Sequence, residues 1–202
     1  MFTPFILLFT VSAALADAPE SDPVLPARGP WFVSSSVFML GNFLPEPPRF
    51  VQLNAGYRFN EKNALIIEAI TWTYPAPLGI PYGPDWGDPK NNFPGHARDI
   101  GVGLAFQHFW WKGAYSTGHV TPFRQTYFDQ EGERIQAGFQ LFCVLRAGYH
   151  FSLWKDRVFI EPSVAVTSWP VNTKLPPEFA AQESQWRSFF VGEPGLHFGF
   201  NF

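Results

Sequence analysis

One cysteine, Cys143, stands in 202 residues, so neither an intramolecular disulfide framework nor a cysteine-based zinc site can be built. Cys143 falls among apolar residues and reads as an ordinary apolar position. Charge is also scarce: Asp, Glu, Lys and Arg make up 15% of the chain, and the formal net charge is -3, which offers no basic field for nucleic acid. After the first 16 residues no apolar run reaches about 18 residues, the length a membrane-spanning helix needs. His96, His108, His119, His150 and His197 show neither H-x-x-x-H nor H-E-x-x-H spacing, and no G-x-S-x-G nucleophile elbow is present. His96 has Asp85, Asp88 and Asp99 near it in sequence; a weak metal site is the lesser reading of this set, and a solvated loop histidine the better one. No metal and no cofactor are expected.

Aromatic residues fill the space that charge leaves. They reach 18% of the chain, with 23 Phe and 8 Trp, a balance suited to a membrane interface and hazardous on a water-facing surface. Near the start, Phe5-Ile6-Leu7-Leu8-Phe9-Thr10-Val11 precedes the small-x-small pattern Ala14-Leu15-Ala16. Residues 1–16 therefore read as a secretory signal peptide, although no Lys or Arg precedes the apolar run; cleavage after Ala18 is the alternative. Residues 17–30 form a Pro-rich polar lead-in, and residues 31–202 form one domain.

From Trp31 onward, apolar and polar residues alternate with a period of two, the mark of strands with one greasy face. The segments are Trp31–Gly41, Arg49–Phe59, Asn63–Thr73, Arg98–Trp110, Ala114–Phe128, Arg134–Phe151, Arg157–Trp169 and Ser188–Phe202. Eight strands joined by short connections at 60–62, 111–113 and 152–156 and long ones at 74–97 and 170–187 predict an all-β, eight-stranded, antiparallel up-and-down transmembrane barrel. Both termini and all short turns then share one end, the periplasmic one. Pro122, Pro162 and Pro194 sit inside strands and require bulges or breaks. In the fifth strand either His119, Thr121 and Gln125 face inward, or Arg124 does. Glu68 faces the lumen opposite Asn54 if the 60–62 turn spans three residues.

The inward faces collect Asn54, Arg58, Glu68, Gln140, Arg146, Glu161, Glu193 and His197. In a barrel of eight strands the interior is just wide enough for side chains to fill, so these groups read as a polar plug whose charges must be paired. Arg146 and Glu161, nearly opposite across the 152–156 connection, are expected to form an ion pair. His150, Ser152 and Glu161 supply a base, a hydroxyl and a carboxylate, the weak alternative of a hydrolase. The 74–97 loop is dense in proline and carries Tyr82, Trp86 and Phe93, rigid amphipathic contact groups. It is the candidate external binding surface.

The final stretch, with Phe198, Phe200 and Phe202 alternating to the end, resembles the C-terminal assembly signature of outer-membrane barrels, which implies the barrel assembly machinery as a partner. The chain as a whole resembles the small eight-stranded outer-membrane barrels. Through Phe93-Pro94-Gly95-His96-Ala97-Arg98-Asp99-Ile100-Gly101-Val102-Gly103, Phe106-Gln107-His108-Phe109, Phe159-Ile160-Glu161-Pro162-Ser163 and Glu193-Pro194-Gly195-Leu196-His197-Phe198-Gly199-Phe200, it resembles uncharacterised barrel proteins of the Bacteroidota type. The resemblance implies a monomer in the bacterial outer membrane, in contact with lipopolysaccharide and with a surface glycan or protein. It supplies no catalytic residues. His-x-Ser with a later Glu also resembles, loosely, the arrangement in lipid A deacylase barrels. However, it falls here at the periplasmic end, with Ser152 in a turn and unlike flanking residues. A soluble ligand-binding barrel is the third reading, and Trp110, Trp111, Tyr115 and Trp154 near strand ends speak against it.

Overall fold

A computed structural model describes residues 29–45 and 47–202; the expected signal peptide and nearly all of the lead-in lie outside the described residues. The fold is all-β. Its strands are β1 (Trp31–Ser36), β2 (Val51–Arg58), β3 (Asn63–Tyr74), β4 (His96–Trp111), β5 (Ala114–Phe128), β6 (Arg134–Tyr149), β7 (Phe151–Leu153), β8 (Val158–Thr173) and β9 (Phe189–Asn201). Consecutive strands pair antiparallel except β6 and β7, which both pair with β8, and the β1–β9 ladder closes the sheet into a ring. β7 continues β6 along the same edge of β8 in unchanged register, Gly148 opposite Ser163 and Phe151 opposite Ile160. The nine strands therefore make eight staves.

Side chains alternate between a buried inner face and an exposed outer face, as in β2, where Gln52, Asn54, Gly56 and Arg58 point in and Val51, Leu53, Ala55 and Tyr57 point out. Asn54 lies opposite Glu68, the pairing a three-residue turn demands. In β5, Thr121 and Gln125 are buried with His119 beside Glu68, while Arg124 is exposed. The outer surface carries exposed Leu53, Ile67, Val102, Leu104, Leu145, Val164 and Val191.

The three strand prolines are accommodated in two ways, by a gap in the ladder or by a bulge, because proline cannot donate a ladder bond. The β4–β5 ladder skips Val102 and Gly103 opposite Pro122 without losing register. The ladder along β8 likewise skips Tyr149 and His150, opposite Pro162 and Glu161, without losing register. Next to Pro194, a bulge places Gly192 in β9 at φ +86 between the partners of Ala165 and Val166, a conformation that favours glycine.

Two expectations need correction. The first strand stops at Ser36, not Gly41: Val37-Phe38-Met39-Leu40 has no alternation to hold it in the sheet, and the chain turns into a 3-10 segment, Val37–Phe43. Ser36 Oγ caps it by accepting from Phe38 N at 3.2 Å. The 170–187 connection is shorter than expected, because β8 runs on to Thr173, and it contains a helix, α1 (Pro177–Glu183).

Candidate functional site

The barrel interior is layered. At the short-turn end it is packed solid: Phe32, Ala64, Ile66, Ala105 and Phe159 form one apolar cluster, and the Arg58 guanidinium lies 4.2 Å from the Phe32 ring centroid. Gly56 and Gly199 leave space for the Phe32 and Phe159 rings, which a β-carbon would enter. Beside this cluster Glu161 Oε1 lies 2.8 Å from His150 Nδ1 and accepts from Gln107 Nε2 at 3.1 Å.

The next layer is polar. Glu68 accepts hydrogen bonds from Gln52 Nε2 at 2.7 Å and Thr121 Oγ1 at 3.1 Å, and its carboxylate lies 3.6 Å from His119 Nδ1. Asn54 Nδ2 donates to Ser34 Oγ at 3.2 Å. Arg146 donates to Ser163 Oγ at 3.0 Å and to Glu193 Oε1 at 3.2 Å. His197 and Gln140 are buried on the same inner face.

Above that layer the lumen opens into a cavity of about 470 Å³, within the range of small-molecule sites. Glu68, His119, Arg146 and His197 contribute to its floor, and Trp72, Phe123, Phe142 and Trp169 to its walls. The walls interlock: Phe142 stacks on Trp169 with centroids 6.2 Å apart and meets Phe123 at 5.7 Å. Ile80, Tyr82 and Trp86 of the 74–97 loop form the roof, with Tyr82 at 4.9 Å and Trp86 at 5.6 Å from the Phe190 ring of β9.

The roof is braced from within and without. Phe93 N donates to Pro75 O at 2.7 Å, Asn91 Nδ2 donates to Asp85 O at 3.0 Å, and Lys90 pairs with Asp88 at 2.9 Å and Asp85 at 3.3 Å. Hydrogen bonds from the Lys90 backbone and side chain hold the Asp88 carboxyl below its ordinary range, and the two carboxylates raise the Lys90 ammonium. Phe93 stacks on Phe179 of α1 at 4.8 Å, in a cluster with Tyr74, Ala97 and Tyr127. Beneath it, Tyr74 Oη donates to Asp99 and accepts from Gln125, to which Tyr127 Oη donates. Gly79 passes so close to the Arg187 carbonyl that a side chain there would strike backbone. Burial raises the Glu183 carboxyl above its usual value, opposed by the hydrogen bond it accepts from Trp169 Nε1 at 2.9 Å. Burial, with Glu193 nearby, raises the Tyr82 hydroxyl.

All eight expected lumen residues, Asn54, Arg58, Glu68, Gln140, Arg146, Glu161, Glu193 and His197, are on the inner face. The expected Arg146–Glu161 ion pair does not form. The β6–β8 register sets Arg146 opposite Ala165, four positions from Glu161, so Arg146 reaches across to Glu193 on β9 and Glu161 takes His150 instead. Ser152 is exposed at the rim and makes no hydrogen bond with His150, whose ring lies between Phe109 and Phe159. Base and carboxylate meet, but the hydroxyl is not brought to them. Tyr82 and Trp86 are 54% and 52% exposed, whereas Phe93 is 6% exposed: of the three loop aromatics, Phe93 is an anchor and not a contact surface. Phe198, Phe200 and Phe202 are exposed on the outer face, and Phe202 N donates to Trp31 O at 3.0 Å. His96 stacks on Phe128 at 4.9 Å.

The apolar cavity wall was missed by sequence reasoning that treated the inner face as a polar inventory. A signal was present: Phe142 and Val144 occupy inward positions between Gln140 and Arg146, and an apolar residue in polar phase near a strand's open end marks an unfilled interior. The chain matches no protein-family profile, no curated protein and no solved structure.

Proposed function

We propose that this chain is an integral outer-membrane barrel, termini toward the periplasm, whose role is envelope interaction: it holds an amphipathic ligand at its outer mouth beneath the 74–97 loop. The apolar outer surface and the segregation of short turns from long loops support the membrane placement. The observation that carries the binding role is the cavity, with its aromatic walls, its floor of Glu68, His119, Arg146 and His197, and its half-exposed roof of Tyr82 and Trp86. A few convergent polar groups under an apolar wall are the usual composition of a ligand site. The packed layer below closes the lumen, so the reading is of binding and not conduction.

The test has two stages. Membrane fractionation with electrophoresis of heated and unheated samples is expected to recover an outer-membrane protein with heat-dependent mobility; recovery as a soluble periplasmic species overturns the membrane placement. Mass spectrometry of the intact barrel released from micelles is then expected to find a co-purified amphipath, lost on Val144→Trp, which fills the cavity. An empty wild-type barrel overturns the binding role.

A further inference from the structure

The wall beside the cavity is not closed by backbone. β1 ends at Ser36, opposite His197, while β9 continues upward to Phe189 with β8 on one edge only. On the other side of the seam, Val51, Gln52 and Leu53 of β2 pair with β3 but with no β1 residue in the ladder, and a side chain makes the link instead: Ser35 Oγ donates to Gln52 O at 2.6 Å. The 3-10 segment Val37–Phe43 occupies this gap and packs against β9. It is fastened to the β2 side by side chains: Asn42 Nδ2 donates to Phe50 O at 2.6 Å, and Phe50 N donates to Asn42 Oδ1 at 2.9 Å. The amide of Asn42 thus stands in for a strand partner of Phe50. Among the described residues no backbone hydrogen bond joins the segment to β9.

The cavity reaches this seam from inside. Ser36, Phe38 and Phe50 line it from one bank, and Phe190, Pro194 and Gly195 from the other. Phe38 is part of the cavity wall and is 53% exposed. Leu40, Phe43 and Leu44, close to it in the chain, are also exposed, as are Leu53 on β2 and Val191 on β9, the strands on either side of the seam. An apolar path therefore continues from the outer belt, past a side-chain plug, into an apolar chamber.

We infer that the seam is a lateral portal through which an acyl chain of a surrounding membrane lipid enters the cavity, with Phe38 as its gate. This rests on the membrane placement and the cavity reading proposed above, and it names the ligand. A lipid tail is the occupant because the path opens onto the surface that contacts tails. Breaking a seam held by side chains costs no ladder bonds, whereas parting two paired strands in lipid leaves several backbone groups unsatisfied at several kcal/mol each. The polar floor sets the depth: below Phe142 and Val144 a tail meets Glu68, His119 and Arg146, and burial of methylenes ceases to be favourable.

The full barrel, reconstituted in phosphatidylcholine vesicles containing a phosphatidylcholine with a diazirine on its palmitoyl chain, is illuminated and its adducts are mapped by mass spectrometry. Adducts on Ile70, Phe142 or Trp169 are expected, alongside those on the outward Leu104 and Leu145. Phe38→Ala is expected to increase the inner adducts. Val144→Trp is expected to reduce them to background while the outer adducts and the heat-dependent mobility persist. In parallel, a diazirine-bearing short-chain alcohol is supplied from water. Inner labelling by the alcohol with only outer labelling by the bilayer lipid overturns the portal and leaves the cavity reading standing. Absence of inner labelling by both probes overturns the two together.

Discussion

Gly195 and Arg146 meet across the β6–β9 interior with so little clearance that a β-carbon on residue 195 would enter the space of the guanidinium and of Ser163 Oγ. Glycine on β9 is thus what lets Arg146 lie flat enough to reach both Ser163 and Glu193. Gly195→Ala is expected to displace the guanidinium and weaken these charged hydrogen bonds, at a cost of about 1.5–3 kcal/mol. The readout is a lower temperature for the electrophoretic unfolding shift. Gly118→Ala is the control, since a β-carbon there meets open space, and its transition is expected to stay unchanged.

Glu161 accepts from Gln107 and faces His150 in the packed end. Glu161→Ala removes the partner of both, and with it a carboxylate that acts on Arg58; a buried donor left without its acceptor costs about 1–3 kcal/mol. Glu161→Gln keeps an acceptor toward Gln107 and is expected to cost less. Denaturant unfolding of the two variants side by side checks the order; equal loss in both contradicts it.

Phe179 is fully buried and joins α1 to Phe93 and Tyr127. Phe179→Ala is expected to cost about 3–5 kcal/mol in the local packing and to release both α1 and the roof, since Phe93 loses its stacking partner. Limited proteolysis is expected to gain cuts within residues 74–97 while the strands resist.

Docking of α1 is expected to depend on pH through Glu183. Its folded carboxyl lies above the ordinary value of 4.5, so the folded state favours the proton. Below pH 4.5 the group is neutral in both states and carries no penalty. As pH rises through 4.5 toward the raised folded value, docking weakens, and it then levels off. Hydrogen-exchange protection of α1 amides, normalised to an unstructured peptide at each pH, is expected to be higher at pH 4 than at pH 7. Glu183→Gln, which retains an acceptor for Trp169, is expected to abolish the difference.

Ser152→Ala is expected to leave lipid A acylation unchanged by mass spectrometry, because Ser152 is exposed at the rim and unconnected to the buried His150–Glu161 pair. A change in acylation restores the hydrolase reading.

Several features were legible because they depend on local period. The alternation in β2, β4 and β6 marks which residues face inward, and the three-residue turn at 60–62 sets Asn54 opposite Glu68. Identity of partners across the lumen was not legible. Across a tight 152–156 hairpin Arg146 and Glu161 would be neighbours, but the actual register sets Arg146 in one row with Ala165 and, a strand further on, Glu193, which is 47 residues distant in sequence. Phe93 shows the same limit: in sequence it is one more loop aromatic beside Tyr82 and Trp86, and only the return of α1 over the mouth buries it.

The sequence by itself determined the strand count, the faces and the turn asymmetry, because periodicity and turn chemistry act within a few residues. Only the tertiary structure decided that the interior is packed at one end and hollow at the other, that Tyr82 and Trp86 roof the hollow, and that the seam beside β9 is closed by Phe38 and Asn42 and not by a strand. Those outcomes depend on how side-chain volumes from eight staves and three loops add up in one enclosed space.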